Sequence, residues 1–170
     1  MFGLTPLGVV HTITGMTALV AGFWALARYK EITLQNTLGR VYLASTFVAA
    51  ATALGIFQHG GFNPAHGLAI FTLLAMALGY VANLTGVLGR RSRYLQAICY
   101  SATFVFHLIP GVTETLTRLP VGAPVFPNAE APGLKPVYAA LLVAYAIGLF
   151  FQIRWLKAEV DKPMLGQVPA

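Results

Sequence analysis

Five long apolar stretches dominate the chain, and short polar segments separate them. Each stretch approaches the ~20 mainly apolar residues that a helix needs to cross a bilayer. Lipid offers the backbone no hydrogen-bond partners, and five segments do not close a barrel, so the predicted structure is helical. The predicted fold is an all-α bundle in which residues 1–170 form a single transmembrane domain. We predict spans over residues 4–27, 36–58, 66–88, 94–117 and 134–156.

The fourth predicted span contains a proline followed by a glycine, Pro110-Gly111. Proline lacks the backbone donor of a helical turn, and its ring clashes with the preceding turn. We therefore expect this helix to be kinked or broken near Pro110, next to His107.

Composition supports a membrane protein and adds its orientation. The chain is 57% hydrophobic and 9% charged, whereas soluble domains carry roughly 25% charged residues. The net charge of +6 does not indicate nucleic-acid binding, because most basic residues lie at alternate ends of the spans. These are Arg28, Lys30, Arg40, Arg90, Arg91, Arg93, Arg154, Lys157 and Lys162.

Cytoplasmic loops of membrane proteins carry an excess of lysine and arginine. The pattern therefore predicts a multi-pass protein of the bacterial cytoplasmic membrane, with the N-terminus outside and the C-terminus inside. The fourth loop, on the outer side, balances Arg118 and Lys135 with Glu114 and Glu130.

The candidate chemistry lies in four histidines, which this topology brings to the outer face: His11, His59, His66 and His107. Imidazole binds zinc, copper and iron, and facing helices supply axial histidines to haem. We expect His11 and His107 to bind a cofactor, either haem or a transition-metal ion. The wider predicted metal site includes His59, His66 and Glu114.

Two other interpretations of the histidines remain open. A neutral histidine within a span also bonds to a neighbouring backbone carbonyl, and histidines that flank a turn are often only solvated. The histidine spacing matches no metal motif. Histidines on one side also do not support electron transfer across the membrane through two stacked haems.

Small residues suggest how the helices associate. Gly8, Gly15 and Gly22 recur every seven residues in the first span and let another helix approach closely. They predict packing within the bundle, a homo-oligomer, or contact with other membrane subunits. Two functions are thus predicted: a redox or metal-handling protein, including electron transfer, or a cofactor-free small subunit or assembly factor of a larger complex.

Two segments resemble a family of small bacterial multi-pass membrane proteins of unknown function. The matching pieces are His11-Thr12-Ile13-Thr14-Gly15 and Gly39-Arg40-Val41-Tyr42. The resemblance implies location and topology over the first three spans and brings no activity. The chain departs from the family pattern at Gln35-Asn36, where a His-Arg pair is usual, and at Arg90-Arg91-Ser92-Arg93, where a histidine is expected.

Overall fold

The computed structural model describes residues 5–57, 61–86 and 88–160, and within these ranges the secondary structure is helical, without strands. The described helices are α1 (Pro6–Tyr29), α2 (Thr37–Ala53), α3 (Pro64–Thr85), α4 (Arg91–Arg118) and α5 (Leu134–Val160). Four of these described helices are long and apolar enough to cross a membrane: α1, α3, α4 and α5.

Capping residues start three of the helices where the apolar stretches begin. The side chain of Thr5 accepts a hydrogen bond from Gly8 N, and Pro6 occupies the first turn of α1. Asn36 caps α2 in the same way by accepting from Gly39 N, and Asn63 caps α3 just before Pro64. These side chains satisfy amide groups that have no partner within the helix.

Helix α2 is shorter than the sequence predicts, because it ends at Ala53 and not near residue 58. The amides of Gly55 and Ile56 bond to carbonyls three residues earlier, which closes the helix. The apolar pattern continues past this point for another reason: the ring of Phe57 stacks on His66, with centroids 4.7 Å apart. Hydrophobic residues in a loop therefore extended the predicted span.

Helix α4 runs without interruption from Arg91 to Arg118 with Pro110 inside it. Of the two outcomes expected at Pro110, the break is thus excluded and the kink stays a prediction. Proline removes one amide donor only, so one carbonyl, that of Phe106, loses its helical partner. Neighbouring helices make such a local loss tolerable in a membrane bundle.

Adjacent helices run antiparallel, and small residues let them approach. A Cβ added at Gly22 would lie 2.7 Å from both Tyr42 and Phe104, so α1, α2 and α4 meet closely there. Gly8 is buried as well, while Gly15 has no atom within 4 Å of where a Cβ would lie. The glycine stripe thus serves packing within the chain at Gly22, and the complete stripe is not free to bind a second copy.

A buried hydrogen bond joins α2 to α4 at the centre of this packing. The hydroxyl of Tyr42 lies 2.7 Å from Thr103 Oγ1, and both side chains are fully buried. Thr103 also donates to the Tyr100 carbonyl at 2.8 Å.

We expect Tyr42→Phe to lower the free energy of unfolding by about 1 kcal/mol, the usual net contribution of such a bond. Thr103 retains its bond to Tyr100, so the loss stays small. Denaturant titration in detergent micelles measures it. Tyr80→Phe, at a tyrosine that is 48% exposed, is the control and should match wild type; equal losses in both variants would contradict this assignment.

Candidate metal centre

His11 lies on α1 and is held by α2. Its Nδ1 is 2.9 Å from the carbonyl oxygen of Ala49. A carbonyl oxygen only accepts hydrogen bonds, so Nδ1 carries the ring proton and Nε2 keeps its lone pair. The bond therefore fixes both the orientation and the tautomer of this imidazole.

His107 lies on α4 and is also held by α2. Its Nε2 is 3.1 Å from Thr46 Oγ1, and Thr46 is fully buried. The ring also packs edge-on against Tyr42, with centroids 6.3 Å apart and an interplanar angle of 76°. This imidazole is therefore positioned by two residues of α2 that are one turn apart.

The two histidines meet because their partners on α2 are neighbours. Thr46 and Ala49 are three residues apart, less than one helical turn, so the two groups that bond to the histidines lie at nearly the same level of α2. His11 and His107 both line one cavity of about 80 Å³, where α1, α2, α3 and α4 come together. The structure thus places these two histidines at one cavity, and the binding of a cofactor by them stays a prediction.

The cavity wall is mostly apolar. Alanines contribute much of it: Ala49, Ala50, Ala53, Ala65 and Ala69. Their small side chains leave the space that the imidazoles face. Thr72 lies on the α3 side, and Phe106 and Pro110 lie on the α4 side.

Each histidine keeps a second ring nitrogen that has no hydrogen-bond partner among the described residues. Among those residues, the buried side-chain nitrogen or oxygen atom that lacks a partner is His66 Nε2. His11 Nε2 and His107 Nδ1 are therefore not sealed inside protein. Each imidazole thus bonds to α2 through one ring nitrogen, and its other ring nitrogen is available to a ligand in the cavity.

His66 lies apart from this pair. It is 2% exposed, and its ring is stacked on Phe57 and lies 5.4 Å from the ring of Phe62. Its Nδ1 is 3.0 Å from Asn63 Oδ1 at the start of α3. His66 does not line the cavity, although its neighbours Ala65 and Ala69 do. Its visible role is to stabilise the first turn of α3.

Glu114, a further predicted ligand, does not join the site. Glu114 forms an ion pair with Arg118 one turn along α4, where both side chains are more than half exposed, and it does not line the cavity. His59 lies outside the described residues. Of the four predicted ligands among the described residues, two therefore line the cavity.

Within the described part of the chain, no three side chains of histidine, cysteine, aspartate or glutamate are placed to share a metal ion. A structural zinc site usually takes four protein ligands, which this pair does not supply. The cavity volume of about 80 Å³ also lies well below the ~300–1,000 Å³ of pockets for drug-sized ligands. Haem does not fit this packing unless the helices separate.

Sequence reasoning missed Thr46 and the Ala49 carbonyl, the two groups that orient the imidazoles. A detectable signal was present, because Tyr42, Thr46 and Ala49 follow one another at steps of four and three along α2. Polar side chains at that spacing within an apolar span define one buried face. The alanine carbonyl carries no signal in the sequence.

Comparison of the chain with protein-family models, with curated proteins and with solved structures found no match. The resemblance of the first three spans to small bacterial membrane proteins therefore stays an expectation.

Proposed function

We propose that this protein is a multi-pass membrane protein that binds a copper(I) ion between His11 and His107. The observation that carries the proposal is the shared cavity, lined by two imidazoles that α2 orients through Ala49 and Thr46. Partners that hold the outer nitrogen of a ligating histidine are typical of metal sites, because they fix the tautomer and the ring orientation.

Copper(I) suits the cavity better than the other ions that imidazole binds. Imidazole is a good ligand for copper, and copper(I) accepts two ligands in a linear arrangement, which two histidines satisfy. The ion carries a single charge, and no carboxylate among the described residues lines the cavity. Because burying charge in apolar surroundings is costly, a monovalent ion is favoured there over a divalent one.

The purified protein should therefore bind one copper(I) per chain under reducing conditions. Titration with a coloured copper(I) chelator as competitor measures the stoichiometry and the affinity. Zinc should bind much more weakly, since two neutral ligands leave its charge uncompensated. Absence of copper binding would instead favour a cofactor-free subunit, in which the bonds to Thr46 and Ala49 serve packing alone.

The proposed topology has five spans, with α2 as a short crossing. Its 17 residues extend about 25 Å at 1.5 Å per residue, slightly less than the ~30 Å hydrocarbon core. Contacts between α1 and α2 support the crossing: Gly22 faces Tyr42, His11 faces Ala49, and Leu7 faces Gly55. These pairs follow α1 from residue 7 to residue 22, so residues 42–55 return through the same depth.

The charges support the proposed orientation in a bacterial cytoplasmic membrane. One end of the bundle contains the end of α1, the loop between α1 and α2, the loop between α3 and α4, and the last turns of α5. Each of these segments carries basic residues. At the opposite end, Arg118 is neutralised by Glu114. The basic end is the cytoplasmic one by the positive-inside rule, which puts the histidine cavity in the outer half.

A reporter fused after Ala170 should be active in the cytoplasm, and one inserted at Val121, which is 84% exposed, should be active outside. An epitope before Met1 should also be accessible from outside, because five spans put the termini on opposite sides. Periplasmic activity of the fusion after Ala170 would contradict the orientation.

A further inference from the structure

Lys30 ends α1 in a backbone conformation that is unusual for lysine. Its φ of 60° lies in the left-handed region, where a Cβ is unfavourable and where helix ends most often carry glycine. The conformation is fixed at both sides of the residue. The amide donates to the Leu26 carbonyl at 2.9 Å, and the carbonyl accepts from Gln152 Nε2 at 2.7 Å. Glycine would end the helix at lower cost, so the presence of a lysine here indicates a role for its side chain.

The side chain of Lys30 reaches an aromatic ring that a second cation shares. Lys30 Nζ lies 5.9 Å from the ring centroid of Trp155, and the guanidinium carbon of Arg93 lies 5.7 Å from it. Arg93 is paired with Glu31 through two bonds, of 2.6 and 3.3 Å. Among the described residues, Lys30 has no such carboxylate partner. The indole therefore gathers two cations, of which Arg93 interacts with Glu31 and, electrostatically, with Glu159.

The surroundings of this cluster are basic and adjoin the membrane. The described residues at this end include eight cations and two acids, Glu31 and Glu159. The cations are Arg28, Lys30, Arg40, Arg90, Arg91, Arg93, Arg154 and Lys157. One turn away from Trp155, α5 exposes Phe150 and Phe151 by 55% and 62%. An anion held at Lys30 would thus lie directly above an apolar helix face.

We propose that Lys30, Arg93 and Trp155 form a binding site for the headgroup of an anionic phospholipid. The Lys30 ammonium binds the phosphate, and Arg93 adds positive charge while Glu31 holds it in place. The indole lies at the level of the headgroup, where tryptophan is enriched. The acyl chains lie along Phe150 and Phe151, which favours a lipid over free phosphate. This site lies at the opposite end of the bundle from the histidine cavity and does not depend on copper binding.

Native mass spectrometry of the full chain, released from vesicles of mixed phosphatidylglycerol and phosphatidylcholine, tests the proposal. Wild type should retain phosphatidylglycerol in preference to phosphatidylcholine. Lys30→Asn should lower that preference about fivefold, the usual effect of one cation near an anionic surface. Asparagine tolerates the left-handed conformation, so the end of α1 is kept. Lys30→Gly removes the charge with still less backbone cost and should give the same result.

Lys135→Asn is the matched control, since it removes one lysine at the other end of the bundle, and it should leave the preference unchanged. Added inorganic phosphate should not displace the lipid. The proposal is overturned if both Lys30 variants retain the lipid like wild type, if the Lys135 variant loses it equally, or if inorganic phosphate displaces it.

Discussion

Replacing Gly39 with alanine should leave little folded protein. A Cβ at this position would overlap the carbonyl oxygen of Thr33 and would lie 2.8 Å from its backbone nitrogen. These are backbone atoms, which cannot rotate away as the end of a side chain can. Insertion of a methyl group into a packed site usually costs ~1–3 kcal/mol, and more where the backbone must move. We expect a loss at or above the top of that range.

The surroundings of Gly39 explain why the backbone has little freedom to adjust. The amide of Gly39 donates to the capping side chain of Asn36 at 2.8 Å. Thr33 follows Ile32, which is fully buried in the core between α1, α2 and α4. Moving Thr33 therefore disturbs both the start of α2 and the core. The short loop and the helix that holds the histidines depend on this contact.

Expression level and unfolding in detergent micelles measure the effect. Gly15→Ala is the control, because it adds the same methyl group within α1 where no atom lies within 4 Å. Alanine is a better helix former than glycine by ~1 kcal/mol, so this variant should be as stable as wild type or more so. A Gly39→Ala protein as stable as the Gly15→Ala protein would contradict the close approach.

Copper binding should be lost when either cavity histidine is replaced. We expect His11→Ala and His107→Ala each to weaken copper(I) binding by more than the ~10–100-fold that loss of an orienting partner causes, because each removes half of the ligand set. Thr46→Val, which removes the partner of His107, should weaken binding by that ~10–100-fold. Binding should also weaken as the pH falls, since protons compete with the metal for the ring nitrogens.

The variant His66→Gln tests whether copper binding depends on the two cavity histidines or on histidine content in general. Glutamine is a favoured residue at this position of a capping box, so the start of α3 should be retained. This variant should bind copper like wild type, because His66 does not line the cavity. Equal loss in the His66 variant, or wild-type binding after either cavity substitution, would contradict the proposed ligand pair.

Hydropathy predicted four of the helices to within a few residues, because a membrane helix needs an apolar surface along its full length. The predicted end of α2 was wrong, since the apolar Phe57 lies in a loop and stacks on His66. The sequence left open whether Pro110 kinks or breaks its helix, because the cost of one lost donor depends on tertiary packing. The error at α2 comes from reading a tertiary feature as a local one.

The site was predictable only in part. Depth along the spans was enough to predict that His11 and His107 lie at one cavity, because both lie within about three turns of the same end of the bundle. Glu114 shares a helix face with His107, but the sequence does not show that the carboxylate of Glu114 forms an ion pair with Arg118. Nor does it show that Lys30 adopts a left-handed conformation, which depends on Gln152 from a distant helix.

X-ray absorption spectroscopy of the copper(I)-loaded protein tests the central claim most directly. The account predicts two imidazole nitrogens as the nearest ligands of the ion, together with scattering from the more distant atoms of both imidazole rings. This signature should be lost in both His11→Ala and His107→Ala. A first shell that lacks histidine nitrogens, or one unchanged by these substitutions, would contradict it.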